Sequence, residues 1–311
     1  MRIRIGLLPW TARACVAVGV VGFAAPFAHA TDVVSTPFQG ITLHQRTETS
    51  PRPLKIDVVE INLAAPGIHF LVTPSNGALP GDTTLQTTRS FLSSQVGNGA
   101  ALAINANYFG VVSGSYADDV DLAASNGDIY SRFSQGYFAL NLTQNNSAAI
   151  VKAVPGDVTG LQTDPPVSVY NAVSGDEHIV TSGVNTAVQT GLEPRTAAGI
   201  ATGDRLVLMT VDGRDPGVSE GVTTIELANL LLGYGVTDAI NLDGGGSTTM
   251  AIADPTPRLL NVPSEGGERA VGTNLAVFAS PIPEPCAGVA CVVMGAGVMG
   301  FGRRRRVKSA Q

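Results

Sequence analysis

The sequence predicts a single mixed α+β domain with a largely β core and two principal helices. Short apolar runs bounded by turn residues recur along the chain and are typical of buried strands, whereas only two segments have strong helical periodicity. No low-complexity linker divides the region between the two ends. Residues 31–280, about 250 of the 311, are enough for one large domain with a substantial core.

The first 30 residues have the pattern of a signal peptide. Arginines precede an apolar stretch over residues 14–27, which ends in Ala28-His29-Ala30, an A-x-A cleavage pattern. A retained membrane helix is the alternative, and it is less favoured because the apolar run is short. The pattern therefore predicts an exported protein whose mature chain begins at Thr31.

Residues 281–311 form a second segment outside the predicted domain. Pro283-Glu284-Pro285 precedes an apolar stretch over residues 286–302, and residues 303–308 are a basic cluster. This order resembles a PEP-CTERM sorting signal. The resemblance implies membrane insertion of the tail and an exosortase-like sorting enzyme as a partner. The alternative is an ordinary C-terminal membrane anchor, whose basic end would stay in the cytoplasm.

Charge and cysteine usage exclude several classes of function. Residues 31–280 carry 11 Lys and Arg against 24 Asp and Glu, a formal charge of −13, whereas the whole chain has −6. Such an acidic domain argues against a nucleic-acid partner, and an anionic substrate would have to be held locally by arginines and amides. The three cysteines, at positions 15, 286 and 291, lie in the two ends. The predicted domain therefore has no disulfide, thiol nucleophile or cysteine-bound metal.

The elements before the central segment follow from alternation and turn signals. Residues 31–53 are polar and irregular, with an edge strand over 41–45, and the first helix is predicted over Thr83–Val96, where Gly97-Asn98-Gly99 ends it. Asn126-Gly127 indicates a hairpin. Residues 157–185 are rich in turns, and Asp176-Glu177 is interpreted there as a solvated turn. The other predicted strands are 54–63, 68–72, 101–104, 120–124, 129–133, 137–142, 148–154, 197–201 and 273–279.

The segment 206–250 concentrates the unusual chemistry. An apolar run over Leu206–Val211 ends in Asp212, and another over Ala239–Leu242 ends in Asp243. Between them, Thr223 and Glu226 have the spacing of a capping box at the start of a helix. A strand–helix–strand unit brings both strand ends to one edge of the sheet. We therefore expect Asp212 and Asp243 to meet in one cleft.

Several polar or glycine residues near strand ends are candidates for binding. Gly244, Gly245 and Gly246 allow backbone amides to approach an anion closely, although a tight turn would also explain them. Arg195 enters a small-residue strand and could grip a phosphate or instead pair with a carboxylate. Alternation places Asn105 and Asn107 on one face, where their amides could bind sugar hydroxyls or simply end the strand.

The motif Asn241-Leu242-Asp243-Gly244-Gly245-Gly246-Ser247-Thr248, with Val211-Asp212-Gly213-Arg214 upstream, resembles the signature region of the phosphodiester glycosidase family. The similarity extends to Asn105–Phe109, to Pro194–Gly199 and to Arg269–Gly272, and it covers roughly residues 54–278. It implies an enzyme that cleaves the glycosidic C1–O bond of a sugar 1-phosphodiester, with a glycan or sugar phosphodiester as its substrate.

The resemblance also implies roles for individual residues. A departing phosphate needs its developing charge stabilised, for which Arg195, Arg214, Arg269 and the amides of Gly244–Gly246 are candidates. The sugar side needs a carboxylate as base or nucleophile. The catalytic candidates are Asp243, Asp212 and Glu226, although capping alone would explain Glu226. Substrate-binding candidates are Asn105, Asn107, Asn241, Ser247 and Thr248.

No cofactor or metal ligand is predicted from these motifs. No histidine has a partner at the spacing of a zinc site, and no EF-hand spacing occurs, although Asp and Asn oxygens would suit calcium or magnesium. Two rival functions remain open at this point. One is a phosphodiesterase that cuts the P–O bond, and the other is a non-catalytic glycan-binding module on the same fold. A role in envelope or extracellular glycans follows from the tail by association.

Overall fold

The computed structural model describes residues 30–282, and most of its regular structure is antiparallel strand. Two α-helices lie among the strands, α1 (Thr88–Gln95) and α2 (Thr224–Leu232). The strands are β1 (Thr31–Phe38), β2 (Ile41–Glu48), β3 (Leu54–Asn62), β4 (His69–Val72), β5 (Thr83–Thr84), β6 (Ala100–Asn105), β7 (Phe109–Ser113), β8 (Tyr116–Asp119), β9 (Ala123–Ser125), β10 (Asp128–Ser131), β11 (Phe138–Leu142), β12 (Ala148–Ala153), β13 (Thr163–Asp164), β14 (Asn171–Gly175), β15 (Glu177–Thr181), β16 (Val184–Asn185), β17 (Arg195–Ala201), β18 (Arg205–Val211), β19 (Val236–Asn241), β20 (Met250–Ala253), β21 (Pro257–Leu259) and β22 (Asn274–Phe278).

The strands form four sheets. The largest has eight strands in the order β1-β2-β3-β18-β17-β19-β15-β16, and a six-stranded sheet runs β10-β9-β14-β11-β12-β13. A five-stranded sheet runs β21-β20-β6-β22-β4, and a small one runs β5-β8-β7. The architecture is a mixed α+β domain with a largely β core and two helices, as the sequence predicts.

The core lies between the sheets, and each helix covers an outer face. In β3, Val59 and Ile61 point into the core that the three large sheets share. Ile56 and Val58, on the other face of the strand, pack in the cluster that contains Leu227 and Leu231 of α2. Alternation of side chains explains how one strand serves both layers. Helix α1 covers the five-stranded sheet in the same way, through Phe91 and Leu92.

The predicted strand–helix–strand unit is present as β18, α2 and β19. Thr223 caps α2, and the reciprocal hydrogen bonds of a capping box with Glu226 are both formed. Strands β18 and β19 are each antiparallel to β17, which lies between them. They are therefore parallel to each other, and their C-terminal ends reach the same edge of the sheet.

Several element boundaries differ from those predicted. The first helix begins at Thr88 rather than Thr83, because Thr83 pairs with Ala117 in a sheet and the side chain of Thr87 caps the helix. The segment over Thr31–Phe38, expected to be irregular, is a strand paired with β2. The Asn126-Gly127 hairpin is confirmed, with positive φ at both residues.

The predicted signal peptide and sorting tail lie outside the described residues, apart from Ala30, Pro281 and Ile282. Within residues 30–282, neither helix has the length and apolar character needed to cross a bilayer.

Candidate active site

Three chain segments meet at the edge of the eight-stranded sheet where β18 and β19 end. The first residue of β17, Arg195, pairs with Val211, and Ala197 pairs with Asn241. The loops that begin at Asp212 and Asp243 therefore flank the start of β17. Because neighbouring strands are about 4.8 Å apart, the ends of β18 and β19 are separated by roughly 10 Å.

A cavity of 280 Å³ opens at this edge. Its lining combines residues from both sides of β17 with residues from more distant segments. It includes seven of the predicted site residues together with a tyrosine and a second carboxylate: Tyr108, Glu193, Arg195, Arg214, Asp243, Gly244, Gly245, Gly246 and Arg269.

The backbone of Asp243 is hydrogen-bonded to the end of β6 and to the residue that follows it. Its amide donates to the carbonyl of Ala106 at 2.9 Å, and its carbonyl accepts from Nδ2 of Asn105 at 2.7 Å. Both partners belong to the end of β6 and the residue after it. The five-stranded sheet thus fixes a loop that the eight-stranded sheet delivers, and the Asp243 side chain is presented to the cavity.

The environment of the Asp243 carboxyl group raises its pKa to about 6. Burial is the largest cause, and the negative charge of Asp176 acts in the same direction. A hydrogen bond from Ser247, the positive charge of Arg269 and the Gly244 amide oppose these effects. A carboxyl group with such a pKa is ionised at neutral pH and takes up a proton readily, which suits acid–base work.

The three glycines serve close packing more than an open anion nest. The Gly244 amide hydrogen-bonds the Asp243 carboxyl group, and the Gly245 amide donates to the carbonyl of Pro194 at 2.9 Å. The predicted use of all three amides for phosphate is therefore wrong. Gly245 has a φ of 59°, which favours glycine.

Arg195 is a buried cation held by neutral groups. Its Nε donates to the carbonyl of Val222 at 3.2 Å, and its terminal nitrogens donate to the Gly191 carbonyl at 3.0 Å and to Gln189 Oε1 at 3.2 Å. Its side chain forms no ion pair with a carboxylate in the described part of the chain. An arginine whose charge is oriented but unneutralised is well placed to attract an anion.

Arg214 and Arg269 also line the cavity and, with Arg195, form its cationic wall. Each of the two pairs with a glutamate. Nε of Arg214 donates to Glu193 at 2.7 Å. Arg269 pairs with Glu265 and also donates to the hydroxyl oxygen of Ser247 at 3.3 Å. Since Ser247 in turn donates to Asp243, the arginine is linked to the carboxylate through one hydroxyl group.

Asp212 does not share this cavity with Asp243. It lines a neighbouring one, and its Oδ1 accepts from Nδ2 of Asn261 at 3.0 Å while its Oδ2 accepts from the Val262 amide at 3.1 Å. The prediction that Asp212 and Asp243 meet is correct for the edge of the sheet, which they share. It is wrong for the cleft, because the two residues line different cavities. The reason is that the segment 261–262 packs onto the Asp212 carboxylate and caps it.

Glu226 also lies apart from the cavity. Its Oε2 accepts from the Thr223 amide at 2.9 Å in the capping box and from a terminal nitrogen of Arg52 at 2.6 Å. The structure thus favours the capping interpretation over direct chemistry, because the carboxylate is engaged at the start of α2.

The three asparagines predicted to bind substrate are fully buried, and their side chains hydrogen-bond other groups of the protein. Besides holding Asp243, Asn105 accepts from Thr196 Oγ1 at 2.9 Å and from the Thr249 amide at 3.0 Å. Asn107 bonds backbone groups only. Strand β6 ends at Asn105, so the predicted alternation does not extend to Asn107, and the two side chains bond different parts of the protein.

Asn241, Ser247 and Thr248 are buried and do not line the cavity. Nδ2 of Asn241 donates to Oδ1 of Asp176 at 2.7 Å, and Ser247 connects Asp243 with Arg269. Thr248 is buried, and its hydroxyl group has no partner in residues 30–282. We assign these side chains to the support of the site rather than to its surface.

Four residues of the site are absent from the predicted set. Tyr108 and Glu193 line the cavity; Tyr108 follows Asn107 in the chain, and Glu193 lies two residues before Arg195. Asp176, interpreted from sequence as a solvated turn, accepts from Gln189 Nε2 at 3.0 Å and from Asn241, and it bonds the Tyr108 hydroxyl group. The rings of Tyr137 and Tyr108 contact edge to face, with centroids 6.0 Å apart.

A close backbone approach brings Asp176 to this place. Its amide donates to the Asn241 carbonyl at 3.1 Å, and a Cβ atom on Gly175 would lie 2.1 Å from the same oxygen. Only glycine allows the turn between β14 and β15 to sit on the end of β19. Glycine before an acidic pair is a weak sequence signal, so the position of Asp176 was not predictable.

The described residues contain no group of three or more His, Cys, Asp and Glu side chains arranged as metal ligands.

The family model for phosphodiester glycosidase matches residues 98–278, which contain every residue lining the candidate cavity. The chain belongs to the phosphodiester glycosidase family. A curated relative, the SPbeta prophage-derived uncharacterized protein YomE of Bacillus subtilis strain 168, is 39% identical over 84 residues. That match covers 27% of this chain and 12% of the relative, so the chain spans a small part of that protein's length.

Three solved structures share the fold. The catalytic domain of zebrafish N-acetylglucosamine-1-phosphodiester alpha-N-acetylglucosaminidase, auto-inhibited by its pro-peptide, matches with a TM-score of 0.56 and 18% identity, over 83% of this chain and 85% of that one. A Burkholderia pseudomallei K96243 protein, named as a candidate for export, matches with a TM-score of 0.64 and 12% identity, over 82% of this chain and 97% of that one. A Synechocystis protein matches with a TM-score of 0.56 and 14% identity, over 81% of this chain and 68% of that one. At these identities the similarity concerns the fold.

Proposed function

We propose that the protein hydrolyses the glycosidic C1–O bond of a sugar 1-phosphodiester. Water adds its oxygen to C1, and the phosphate leaves with the original bridging oxygen as a phosphomonoester. The observation that carries the proposal is that the buried Asp243 carboxyl group shares one cavity with three arginines, Arg195, Arg214 and Arg269.

The cationic wall suits the phosphate half of this substrate. As the bond breaks, negative charge grows on the leaving phosphate, and oriented donors in a confined site stabilise it strongly. The formal charge of −13 on residues 31–280 would otherwise repel a diester, which makes local cations necessary. Arg195 is the strongest candidate because its guanidinium group is buried and has no carboxylate partner among the described residues.

Asp243 suits the sugar half. The transition state at C1 acquires positive character, and a carboxylate either activates the attacking water or attacks C1 itself. Ionised Asp243 fits both roles, and its link to Arg269 through Ser247 holds it in place. Glu193 and Asp176 are the neighbouring carboxylates from which a partner in the reaction would come.

Incubating the purified protein with a panel of sugar 1-phosphodiesters tests this proposal. UDP-N-acetylglucosamine is the first choice, because the zebrafish relative is named for N-acetylglucosamine-1-phosphodiester. We expect free sugar in the mass spectrum, and in ¹⁸O-labelled water we expect the label on the sugar hydroxyl group.

The two rival functions give different results in the same experiment. A phosphodiesterase that cuts the P–O bond would place the label on phosphate. A glycan-binding module would give no turnover with any diester, and its Asp243→Asn variant would bind glycan as well as the wild type does. Either result would replace the proposed reaction.

We further propose that the protein acts outside the cytoplasm, on envelope or extracellular glycans. The predicted signal peptide and PEP-CTERM-like tail support this location, with an exosortase-like enzyme and the membrane as partners. The intact mass of the protein from a bacterium that carries the sorting system tests it. Cleavage before Thr31 and near Pro283-Glu284-Pro285 is expected, whereas an unprocessed chain would contradict the proposal.

A further inference from the structure

A buried carboxyl group outside the candidate cavity, that of Asp119, has no part in the proposed reaction. Asp119 is the last residue of β8, and it pairs with Phe109 at the start of β7. Its side chain is buried, and its amide donates to Oδ2 of Asp82 at 3.0 Å. A buried carboxyl group costs free energy when it is charged, so its presence here calls for a reason.

The backbone around Asp119 fixes the segment that carries Tyr108, a residue of the cavity wall. The amide of Val120 donates to the Tyr108 carbonyl at 2.8 Å. Phe109, the residue after Tyr108, is paired with Asp119. Nδ2 of Asn107, the residue before Tyr108, donates to the Val120 carbonyl at 3.2 Å. A shift of Asp119 is therefore passed directly to Tyr108.

The side chain of Asp119 also packs on the segment that carries Arg269, another residue of the cavity wall. A Cβ atom on Gly272 would lie 2.7 Å from Oδ1 of Asp119, so this close packing needs glycine. Gly272 follows Arg269 by three positions, and Val271 between them exchanges two hydrogen bonds of 3.0 Å with Gln86. The carboxyl group thus contacts the chain just after the cationic wall.

Hydroxyl groups lie around this carboxyl group, but they satisfy it poorly. Thr83 Oγ1 donates to Oδ2 of Asp119 at the long distance of 3.4 Å. Thr273 lies beside the carboxyl group, yet neither its Oγ1 nor Oδ1 of Asp119 forms a well-shaped hydrogen bond within residues 30–282. A protonated carboxyl group supplies a donor of its own and carries no charge, so it suits this place better than a carboxylate does.

The neighbouring charges favour the same form. Burial is the largest cause of a raised pKa of about 7 for Asp119; two threonine hydroxyl groups lower this pKa, and the negative charges of Asp82 and Asp118 raise it. Tyr130 on β10 is a further titratable neighbour. Because the pKa in the folded state exceeds the ordinary 3.8, the stabilisation from this group is fully present below 3.8 and is lost as pH rises to about 7.

We propose that Asp119 is a positioning residue that holds Tyr108 and Arg269 in place while its carboxyl group is protonated, and that ionisation of this group loosens both segments. The candidate site then responds to alkaline pH through a group that does not touch the substrate. The effect on turnover rests on the proposed function, whereas the effect on the two segments does not.

Hydrogen exchange of the purified protein tests the two segments without a substrate. After correction for the intrinsic pH dependence of exchange, protection of the Val120 and Val271 amides should fall about tenfold between pH 6 and pH 8, because opening returns the carboxyl group to its ordinary pKa. Asp119→Asn cannot ionise and should remove this change. Asp118→Asn is the matched control, since it removes an exposed carboxylate of the same strand and should retain most of the change.

Asp82→Asn keeps the proposal testable if Asp119→Asn does not fold. Asparagine retains an oxygen for the Asp119 amide but removes a charge that raises the pKa of Asp119. The change in protection should then be smaller and should end at a lower pH than in the wild type. A profile identical to that of the wild type would contradict the proposal.

Kinetics on a cleaved diester test whether the loosening reaches the site. We expect kcat/KM of the wild type to fall by at least about threefold between pH 7 and pH 9, a loss on the scale of one hydrogen bond. Asp119→Asn should abolish this alkaline fall and leave the acidic one, which belongs to Asp243, in place. A purely structural role would lower activity at every pH alike.

The outcomes separate this proposal from the proposed function. Protection that is constant with pH in the wild type, or that falls equally in Asp119→Asn, would overturn the proposal and leave the reaction standing. A loss of protection with no alkaline fall in kcat/KM would overturn the positioning role at the site. If no diester is cleaved, the proposed function fails, and hydrogen exchange still decides whether Asp119 holds the two segments.

Discussion

Asp212 and Asp243 begin two loops of nearly the same local design, yet they end in different environments. Each follows a buried strand, precedes glycine and is almost fully buried, at 5% and 8% exposed. Burial raises the pKa of both carboxyl groups. Asp243 nevertheless faces a cavity with three arginines, whereas Asp212 is capped by Asn261 and Val262.

The difference shows that the surroundings, rather than the local motif, decide what a carboxylate does. The side chain of Asn261 packs onto the Asp212 loop. Its side chain donates to Asp212 and to the Thr248 carbonyl, each at 3.0 Å, and accepts from the Met250 amide at 2.8 Å. It therefore ties the Asp212 loop to the strand that follows the Asp243 loop. One carboxylate becomes part of a structural joint, and the other stays available to a ligand.

The largest effect is expected from Asp243→Asn, with Asp212→Asn as its matched partner. Loss of a positioned acid or base lowers kcat by about 100- to 10 000-fold, so we expect a fall in this range for Asp243→Asn. Asp212→Asn keeps an oxygen for Asn261 and should stay within about tenfold of the wild type, on the same scale. Steady-state kinetics on a cleaved diester measures both. Equal losses in the two variants would break the comparison.

The fold was predictable where it depends on local signals. The capping box of Thr223 and Glu226, the hairpin at Asn126-Gly127 and the apolar runs before Asp212 and Asp243 all specify structure through neighbours a few residues away. These signals were enough for the α+β class and for the edge of the sheet at which the site lies.

The rest of the site depends on contacts between distant segments. Alternation grouped Asn105 with Asn107, but it gives no sign that Thr196 and Thr249 cover Asn105. The place of Asp176 depends on a turn that docks onto β19, and its partner there, Asn241, lies 65 residues further along the chain. Such contacts leave no periodic trace in the sequence, which is why the arginines were found and Asp176 was not.

Asn105→Ala should separate the support of the Asp243 loop from its chemistry. The variant leaves the Asp243 carbonyl, the Thr196 hydroxyl group and the Thr249 amide without their buried partner. We expect the free energy of unfolding to fall by about 2 kcal/mol, the cost of unpaired buried groups. Urea denaturation measures it. A loss below about 0.5 kcal/mol would show that the loop is held by other contacts.

The pH dependence of activity should sharpen the contrast through the raised pKa of Asp243. If the ionised carboxylate acts, kcat/KM rises with pH through about 6. Between pH 7 and pH 5 it should fall about tenfold, as the ionised fraction does. A profile that rises on acidification would instead assign the protonated acid to the slow step.

The same pKa has an opposite consequence for stability. Because the folded state binds this proton more tightly than the unfolded chain does, the stabilisation is fully present below the ordinary value of 3.8 and is lost as pH rises to about 6. Asparagine does not titrate, so the Asp243→Asn variant does not lose stability through this group as pH rises. Urea denaturation should therefore show the variant gaining on the wild type between pH 4 and pH 7, and a constant difference would contradict the burial of the carboxyl group.

The smallest effect is expected at Glu226, where the structure replaces a catalytic interpretation with a capping one. Glu226→Ala removes the capping box and the pair with Arg52, so the free energy of unfolding should fall by about 1 kcal/mol. Glu226→Gln is the matched control, since glutamine also completes a capping box and should retain most of that stability. Neither change touches the cavity wall. Loss of turnover in both variants at unchanged stability would show that the reaction reaches beyond the Asp243 cavity to the start of α2, and the contrast between the two aspartate loops would then describe only part of the active site.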